Sequence, residues 1–276
     1  MPDALHRLGV VDIATICEGF APLPLADECP GEIVDWSAER ELHPWAFVDD
    51  GHWAWHVHAF LVHTPNGDVL VDTGVGEFGP WAPWAEEQRF EAWSAVDEHA
   101  VRHVVLTHMH ADHAGGSVLA DGAPRFPNAR YHVHPEDWKH FESSPVHRPT
   151  DAARYDARTA MAELVTSGAV SMEPNDYDVT PGVRVIHTPG HTPGHRSVIV
   201  RDEGETLLLT GDLLHVPAQV AHPEWPSSHD EDAATGAASR VACLATARDR
   251  GWQLAVSHFA QPFGRVGDGN WSSGRS

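Results

Sequence analysis

Short runs of apolar residues, bounded by glycine, proline or charged positions, recur along the chain. Residues 56–63 and 68–72 are two such runs, and both are rich in residue types favoured in β-strands. The intervening segment Thr64–Gly67 contains an Asn-Gly pair, which favours a tight turn between antiparallel strands. The pattern therefore predicts a β-hairpin over residues 56–72.

Other apolar runs predict further strands, and longer stretches with suitable end residues predict helices. The strand predicted at 101–107 leads directly into a histidine-rich segment. Further strands are predicted at 129–133, 183–186, 197–200, 206–209 and 253–256, and helices at 85–99, 135–142, 151–166 and 230–250. Because strands and helices are interleaved, we expect a mixed α/β protein with several hairpins.

The two ends of the chain show a weaker pattern. Residues 10–16 predict a strand, and the proline- and glycine-containing segment 22–31 predicts an irregular arm after it. The Gly- and Ser-rich stretch after Phe263 predicts a loose tail. We therefore expect an N-terminal arm packed on the domain over 1–50, one α/β domain over 51–264 and a flexible tail over 265–276.

Charge excludes some classes of partner. The 276 residues include 18 Lys and Arg against 40 Asp and Glu, which gives a formal net charge of −22. Such a surface repels polyanions, so nucleic acid and anionic lipid are not expected as partners. Residues 1–11 lack the pattern of a secretory signal, and no apolar run is long enough for a membrane span, which predicts a cytoplasmic protein.

The three cysteines show no CxxC spacing, and their odd number argues against a disulfide framework, so we expect reduced thiols. Histidine, in contrast, is enriched to 22 copies. This enrichment raises the chance of a metal site and also the chance of accidental clusters.

The clearest candidate for metal binding is the pattern His108-x-His110-x-Asp112-His113. In an extended segment alternate side chains share a face, so the first two imidazoles can point at one position. Small residues around the last two donors leave room for the backbone to curl around an ion. The alternative is a group of solvated or core histidines at a strand end.

Four neighbouring donors cannot complete the shells of two ions, so more distant partners are needed. His191 lies between two Pro-Gly pairs after a predicted strand, and Asp212 and His258 each follow an apolar strand directly. Taken singly, these residues could be a turn residue, a helix cap and one histidine among many.

The full series, with Asp72 in Val-Asp-Thr-Gly at its start, resembles the metallo-β-lactamase superfamily from about His56 to His258. The resemblance implies an αββα four-layer sandwich of two mixed β-sheets flanked by helices, with the metals at one edge. It implies that Asp72 orients the loop carrying the ligands, although a simple strand-capping aspartate is the alternative. It also implies a first ion on His108, His110 and His191, a second on Asp112, His113 and His258, and a bridge through Asp212.

The charge count independently favours two divalent ions, because Asp112, Asp212 and one hydroxide offset three of four positive charges. Nitrogen and oxygen donors without thiolate favour zinc but tolerate manganese, iron or cobalt. A shared water of lowered pKa would then attack an ester, with Asp112 or Asp212 moving the proton.

His215 stands three residues after Asp212, where lactonases resembling this chain carry a tyrosine. This difference points towards the esterase and organophosphate-hydrolase branch related to methyl parathion hydrolase. His215 could donate to the developing oxyanion or leaving group, or it could only support a ligand. Zinc β-lactamases and hydroxyacylglutathione hydrolases resemble the chain less well, since the first often lack a bridging carboxylate and the second carry a basic module.

We therefore expect a hydrolase of small carboxylic or phosphoric esters or lactones, with N-acyl-homoserine-lactone hydrolysis as an alternative. A non-catalytic metal-binding scaffold is the alternative from another class. A homodimer is left open. Tryptophans near predicted loops could form an apolar pocket or simply belong to the core; they are Trp53, Trp55, Trp81, Trp84 and Trp225.

Overall fold

The computed structural model describes residues 5–32, 34–76, 92–119, 121–143, 162 and 164–274. These residues form two seven-stranded sheets, each following the order of the chain. The first sheet contains β1 (Leu5–Leu8), β2 (Val11–Pro24), β3 (His52–His63), β4 (Asp68–Val71), β5 (Val101–Val105), β6 (Arg130–Val133) and β7 (Val170–Met172). The second contains β8 (Tyr177–Thr180), β9 (Val183–His187), β10 (Arg196–Asp202), β11 (Glu205–Leu209), β12 (Gln253–Ala255), β13 (Phe263–Gly267) and β14 (Asn270–Ser273).

Both sheets mix antiparallel and parallel pairs, as predicted. Strands β1 to β4 are antiparallel and β4 to β7 are parallel. In the second sheet only the β11–β12 pair is parallel. Parallel strands place their carboxyl ends at the same edge, and this is the edge where the predicted ligands occur.

Apolar clusters lie between the two sheets and on their outer faces. Phe60 and Val71 of the first sheet pack with Val198 and Leu209 of the second in a buried cluster between them. The outer face of each sheet carries another cluster, partly covered by helices. The described helices are α1 (Trp36–Leu42), α2 (Ala111–Ala114), α3 (Pro135–Ser143), α4 (Ala218–Ala221) and α5 (Ala233–Arg250). The predicted four-layer sandwich is therefore confirmed.

The hairpin predicted over 56–72 is confirmed by the antiparallel pairing of Phe60 with Val71. Gly67 has a φ of 107°, a conformation that glycine adopts without strain. The predicted helices at 135–142 and 230–250 correspond to α3 and α5. None of the described helices is both long and apolar enough to cross a membrane.

The expectation of an irregular arm after residue 16 is wrong for residues 17–24, because β2 continues through both prolines to Pro24. Among the described residues, β1 pairs with β2 only as far as Ala14. Counting only the described strands, the remaining part of β2 therefore has β3 on one side and none on the other. Proline lacks an N–H group and is tolerated at such a free edge.

The expected loose tail is also wrong for residues 265–273, which form part of the hairpin β13–β14. Its Trp271 is 5% exposed and belongs to the cluster on the outer face of the second sheet. Of the helix predicted at 85–99, residues 85–91 lie outside the described residues. Residues 93–95 form a short 3-10 helix. Most of the helix predicted at 151–166 also lies outside them, although 162 and 164–166 are helical.

Candidate metal centre

Loops from both sheets meet at one edge of the sandwich. Asp72 follows β4, and the segment 108–113 follows the neighbouring parallel strand β5. From the second sheet, His191 follows β9, Asp212 follows β11 and His258 follows β12. The structure brings every predicted ligand together in two adjoining groups of side chains.

The first set, called here the histidine group, consists of His108, His110 and His191. His110 Nδ1 lies 2.9 Å from the Nε2 atoms of both His108 and His191. The two Nε2 atoms are 3.1 Å apart. Three ring nitrogens thus converge on one position, as ligands of a single ion would.

The second set, called the mixed group, consists of Asp112, His113, Asp212 and His258. Asp212 Oδ1 lies 3.1 Å from Nε2 of His113 and 3.1 Å from Nε2 of His258. The other oxygen of Asp212 faces the histidine group, 3.3 Å from His191 Nε2. One carboxylate therefore presents an oxygen to each group.

The two groups differ in their charge. Burial lowers the pKa of His108 and His191 and lowers that of His110 to about 4, so these rings are neutral near pH 7. In the mixed group burial alone would lower the pKa of His113 and His258, but the carboxylates of Asp212 and Asp112 together, with Asp72 also acting on His113, outweigh it and raise both pKa values. Protons on these two rings balance the buried carboxylates.

The donors fit two divalent cations. His113 Nε2 and Asp212 Oδ1 are buried at the centre, and although they lie 3.1 Å apart, neither forms a hydrogen bond with any described residue. Such orphaned polar atoms are costly unless something binds them, and a cation would serve both. The histidine group offers only nitrogen, and the mixed group offers nitrogen and oxygen, which suits zinc and related divalent ions.

Outer hydrogen bonds fix the ring orientations in the mixed group. His113 Nδ1 lies 2.7 Å from Asp72 Oδ2, and His258 Nδ1 donates to the carbonyl of His56 at 2.6 Å. Both rings therefore turn Nε2 towards the centre. Asp72 also accepts the backbone N–H of Thr107 at 2.7 Å and has a φ of 62°. It thus ties the end of β4 to the loop that carries the ligands.

His215 lies beside the centre and is 3% exposed. Its Nε2 is 3.4 Å from Asp212 Oδ2, and its Nδ1 is 3.4 Å from the hydroxyl of Ser227. Its backbone N–H donates to Gln219 Oε1 at 2.7 Å, which fixes the start of the following turn. The ring thus contacts the shared carboxylate from the side of the second sheet.

Asp230 was not among the residues predicted from the sequence. This buried carboxylate lies 3.6 Å from His191 Nδ1, and both facing atoms have no hydrogen-bond partner within the described ranges. Arg240 of α5 approaches the other oxygen at 3.4 Å. The same guanidinium donates to the carbonyls of Leu213, Pro223 and Trp225 at 2.7, 3.0 and 2.8 Å. No motif marks these residues, so no sequence signal could have found them.

Two further buried residues hold the loops and were also missed. Asp137 accepts the backbone N–H groups of Met109 at 3.1 Å and Gly194 at 2.6 Å, and so joins the loops carrying the histidine group. Burial raises the pKa of Asp137 to about 6. His195 accepts the backbone N–H of Asp212 at 2.9 Å. Its place in the doubled Thr-Pro-Gly-His segment was the one available signal.

The loops also approach each other closely. A Cβ atom on Gly116 would lie 2.1 Å from the carbonyl oxygen of Thr73, so any side chain at position 116 would push the two loops apart. Glycine at this position therefore permits the backbone contact that sets the ligand-bearing loop against the end of β4.

The tryptophans have different environments. Trp53 is 1% exposed and its Nε1 donates to Glu28 at 2.9 Å, which is core packing. The ring of Trp55 lies 5.2 Å from that of His258, and Trp225 stacks on His222 at 3.9 Å. The predicted pocket residues Trp81 and Trp84 lie outside the described residues.

Comparisons with known proteins agree with this geometry. The sequence model of the metallo-beta-lactamase superfamily matches residues 52–248. An N-acyl homoserine lactonase of Bacillus cereus is 26% identical over 172 residues, 55% of this chain and 61% of that protein's length. Another from Bacillus sp is 27% identical over 198 residues, 65% of this chain and 70% of that protein.

Two solved structures share the fold along the whole chain. The hydrolase AbOPH of the beta lactamase superfamily has a TM-score of 0.82 at 23% identity, and the dizinc quorum-quenching lactonase AidC has 0.83 at 20%. Each comparison covers 99% of this chain and 98% of the other. Since the family's sequence model spans most of the chain, this protein belongs to the metallo-β-lactamase superfamily.

Proposed function

We propose that the protein hydrolyses carboxylic esters at a pair of divalent ions, with lactones such as N-acyl homoserine lactones as the favoured substrates. The observation that carries the proposal is the position of Asp212, whose two oxygens face two separate groups of donors about 3 Å away. The lactonase activity of the relatives favours cyclic esters over the open-chain esters that the sequence placed first.

In this proposal the histidine group would hold the first ion. Asp112, His113 and His258 would hold the second, and Asp212 would offer one oxygen to each. Two divalent cations in these positions would lower the pKa of a shared water and polarise the carbonyl oxygen of an ester. Zinc is the proposed metal, because nitrogen donors outnumber carboxylates and AidC is described as a dizinc enzyme.

The chain's own residues would orient and protonate the substrate. Asp112 is the most exposed carboxylate of the mixed group at 7%, which suits it to exchange a proton with the leaving oxygen. His215 reaches the shared carboxylate with Nε2, so the same nitrogen can donate a hydrogen bond to a substrate oxygen bound beside Asp212. Asp72 faces the Nδ1 atom of His113, and Asp230 faces the Nδ1 atom of His191, so each carboxylate would orient one ring.

A second candidate is hydrolysis of phosphoric triesters. It is favoured by His215, which takes the place of the tyrosine expected in lactonases. A scaffold without activity is disfavoured, because such a protein has no physical need for a complete and buried donor set. Metal-depleted protein, which should show no turnover, serves as the reference for this inactive alternative.

The test is a side-by-side assay of the zinc-loaded protein on N-acyl homoserine lactones of several chain lengths, a simple γ-lactone, an aryl ester and an aryl phosphotriester. We expect the highest kcat/KM on a lactone. The matched variants His215→Tyr and His215→Phe separate donation from packing, since only Tyr keeps a donor. Preference for the phosphotriester would establish the second candidate, and turnover no faster than that of metal-depleted protein would refute both.

A further inference from the structure

A second set of metal-ligating side chains lies on β2 and β3, outside the dinuclear centre. Cys17, His56 and His58 each offer one ligand atom, and these atoms lie within 4.8 Å of one another. We propose that this sulfur-containing cluster, called here the Cys17 cluster, binds a third metal ion of the zinc class. It shares no residue with the histidine group or the mixed group.

Strand pairing places the three side chains on one face. Cys17 stands directly opposite His58, and His56 lies two residues along the same strand. A bulge between Cys17 and Gly19 inserts Glu18 as an extra residue. The carboxylate of Glu18 accepts the N–H of Val75 at 2.6 Å, away from the cluster. The bulge thus directs the side chain of Glu18 away from the cluster, while Cys17 and His56 remain close to each other.

The donor atoms are prepared for a cation. His58 Nδ1 is 2.8 Å from the carbonyl of Ser257, and a ring nitrogen that faces a carbonyl oxygen carries the hydrogen. Its Nε2 atom therefore keeps a lone pair. Cys17 Sγ lies 3.5 Å from His56 Nδ1 and 3.7 Å from the carbonyl oxygen of Gly19, so an ion bound to the thiolate would take the place of the S–H hydrogen that these contacts share. His58 is buried, which protects the site from competing water on one side.

The donor types of the Cys17 cluster favour one class of metal ion. One thiolate and two neutral imidazoles form a borderline-soft donor set that favours zinc over magnesium, calcium or manganese. Cys17 and His56 are partly exposed, so water can supply a fourth ligand. No thiol takes part in the dinuclear centre, and this difference makes the third ion spectroscopically distinguishable.

Another cluster in the structure lacks this preparation. His134, Glu136 and His187 also bring three ligand atoms together. However, His134 Nδ1 accepts the N–H of Glu136 at 3.2 Å and its Nε2 lies 3.2 Å from the carbonyl of Pro174. Both nitrogens are engaged, so this imidazole has no lone pair to offer.

An ion in the Cys17 cluster would brace the mixed group without entering it. The carbonyl of His56 accepts the hydrogen bond of His258 Nδ1, and the carbonyl of Ser257 faces His58. Binding would therefore stiffen both strand β3 and the segment that carries His258.

The first experiment loads metal-depleted protein with Co²⁺ and records near-ultraviolet absorption together with metal content. We expect three equivalents and a thiolate-to-cobalt charge-transfer band. Cys17→Ser should lose the band and one equivalent, whereas the control Cys243→Ser should keep both, since Cys243 lies on α5 and belongs to none of the clusters among the described residues. Absence of the band in the unaltered protein, or its persistence in Cys17→Ser, would overturn the proposal.

A second experiment needs no variant. Alkylation of the native protein, followed by mass spectrometry, compares Cys17 with Cys243 in metal-depleted and Zn²⁺-saturated samples. Binding should slow the labelling of Cys17 by at least about tenfold relative to Cys243, because a coordinated thiolate is a poor nucleophile. An equal rate ratio in both samples would show that the thiol binds no ion.

Discussion

The histidine group and the mixed group lie side by side but handle charge in opposite ways. Burial keeps the imidazoles of the histidine group neutral. In the mixed group two carboxylates hold protons on His113 and His258. An ion entering the mixed group replaces protons, whereas an ion entering the histidine group arrives at an uncharged set of donors. Metal binding to the mixed group should therefore depend on pH. Binding to the histidine group should depend instead on the negative charge of neighbouring carboxylates.

The supporting carboxylates differ as well. Asp72 lies 2.7 Å from His113 Nδ1, a close charge-assisted contact. Asp230 lies 3.6 Å from His191 Nδ1 and is shared with Arg240. The mixed group is therefore the more tightly supported, and removal of its support should cost more.

The largest effect is expected from the residue that both groups share. Asp212→Ala removes an oxygen from each and leaves buried imidazoles without their balancing charge, so we expect loss of the paired ions and a fall in kcat of about 10³-fold or more. Metal analysis and a turnover assay measure the two outcomes, and circular dichroism checks that the fold is retained. Asp178→Ala, which changes an exposed carboxylate paired with Arg184, is the control. Full activity with two bound ions would disprove the bridging role.

An intermediate effect is expected from the supporting carboxylates. Asp72→Asn keeps the shape of the side chain and tolerates the φ of 62°, yet removes the charge facing His113. We expect metal affinity to fall by about 10- to 100-fold, and by a smaller factor in Asp230→Asn. Competition with a chromophoric chelator measures both affinities. A larger loss in Asp230→Asn would reverse the ranking of the two groups.

The smallest effect tests whether an imidazole buried away from both groups stays neutral in the folded protein. His132 lies in β6, away from both groups, and burial, with His103 and Arg196 nearby, lowers its pKa to about 3. The folded protein then binds fewer protons than the unfolded chain below pH 6.5, so this residue contributes stability above pH 6.5 that is lost as the pH falls towards 3.

His132→Asn keeps an acceptor for the Tyr177 hydroxyl, which lies 2.8 Å from His132 Nδ1. Urea denaturation at pH 7.5 and pH 5 should show a free energy of unfolding that falls less steeply with acid, by about 1 kcal/mol per pH unit. An unchanged slope would mean that His132 does not titrate differently in the folded and unfolded states.

The regular part of the fold and the ligand positions could be predicted because their signals are local. The Asn-Gly turn identified the hairpin of β3 and β4, and apolar runs identified β5, β11 and β12. The spacing of residues 108–113 was specific enough to indicate a metal site. Of the predicted distant ligands, Asp212 and His258 each followed such a run directly, and His191 followed one after a Pro-Gly turn.

What could not be predicted depends on tertiary neighbours. Prolines in β2 indicated a break, and only the absence of a partner beside this part of the strand, within the described chain, makes them acceptable. The polar stretch around Trp271 gave no strand pattern, although the indole packs in a buried cluster. Asp230 and Arg240 have ordinary sequence surroundings. Their role comes from contacts between α5 and a loop that no local pattern encodes.

The rim that carries the ligands is joined across the two sheets by main-chain hydrogen bonds. The N–H of Arg196 donates to the carbonyl of Thr107 at 2.8 Å, and those of His56 and His58 donate to the carbonyls of His258 and Ser257. Every residue type offers the same backbone carbonyl, and every type except proline also offers the same backbone N–H. Ligand side chains can therefore be exchanged one at a time while the frame persists, which makes this rim a suitable host for redesigned chemistry.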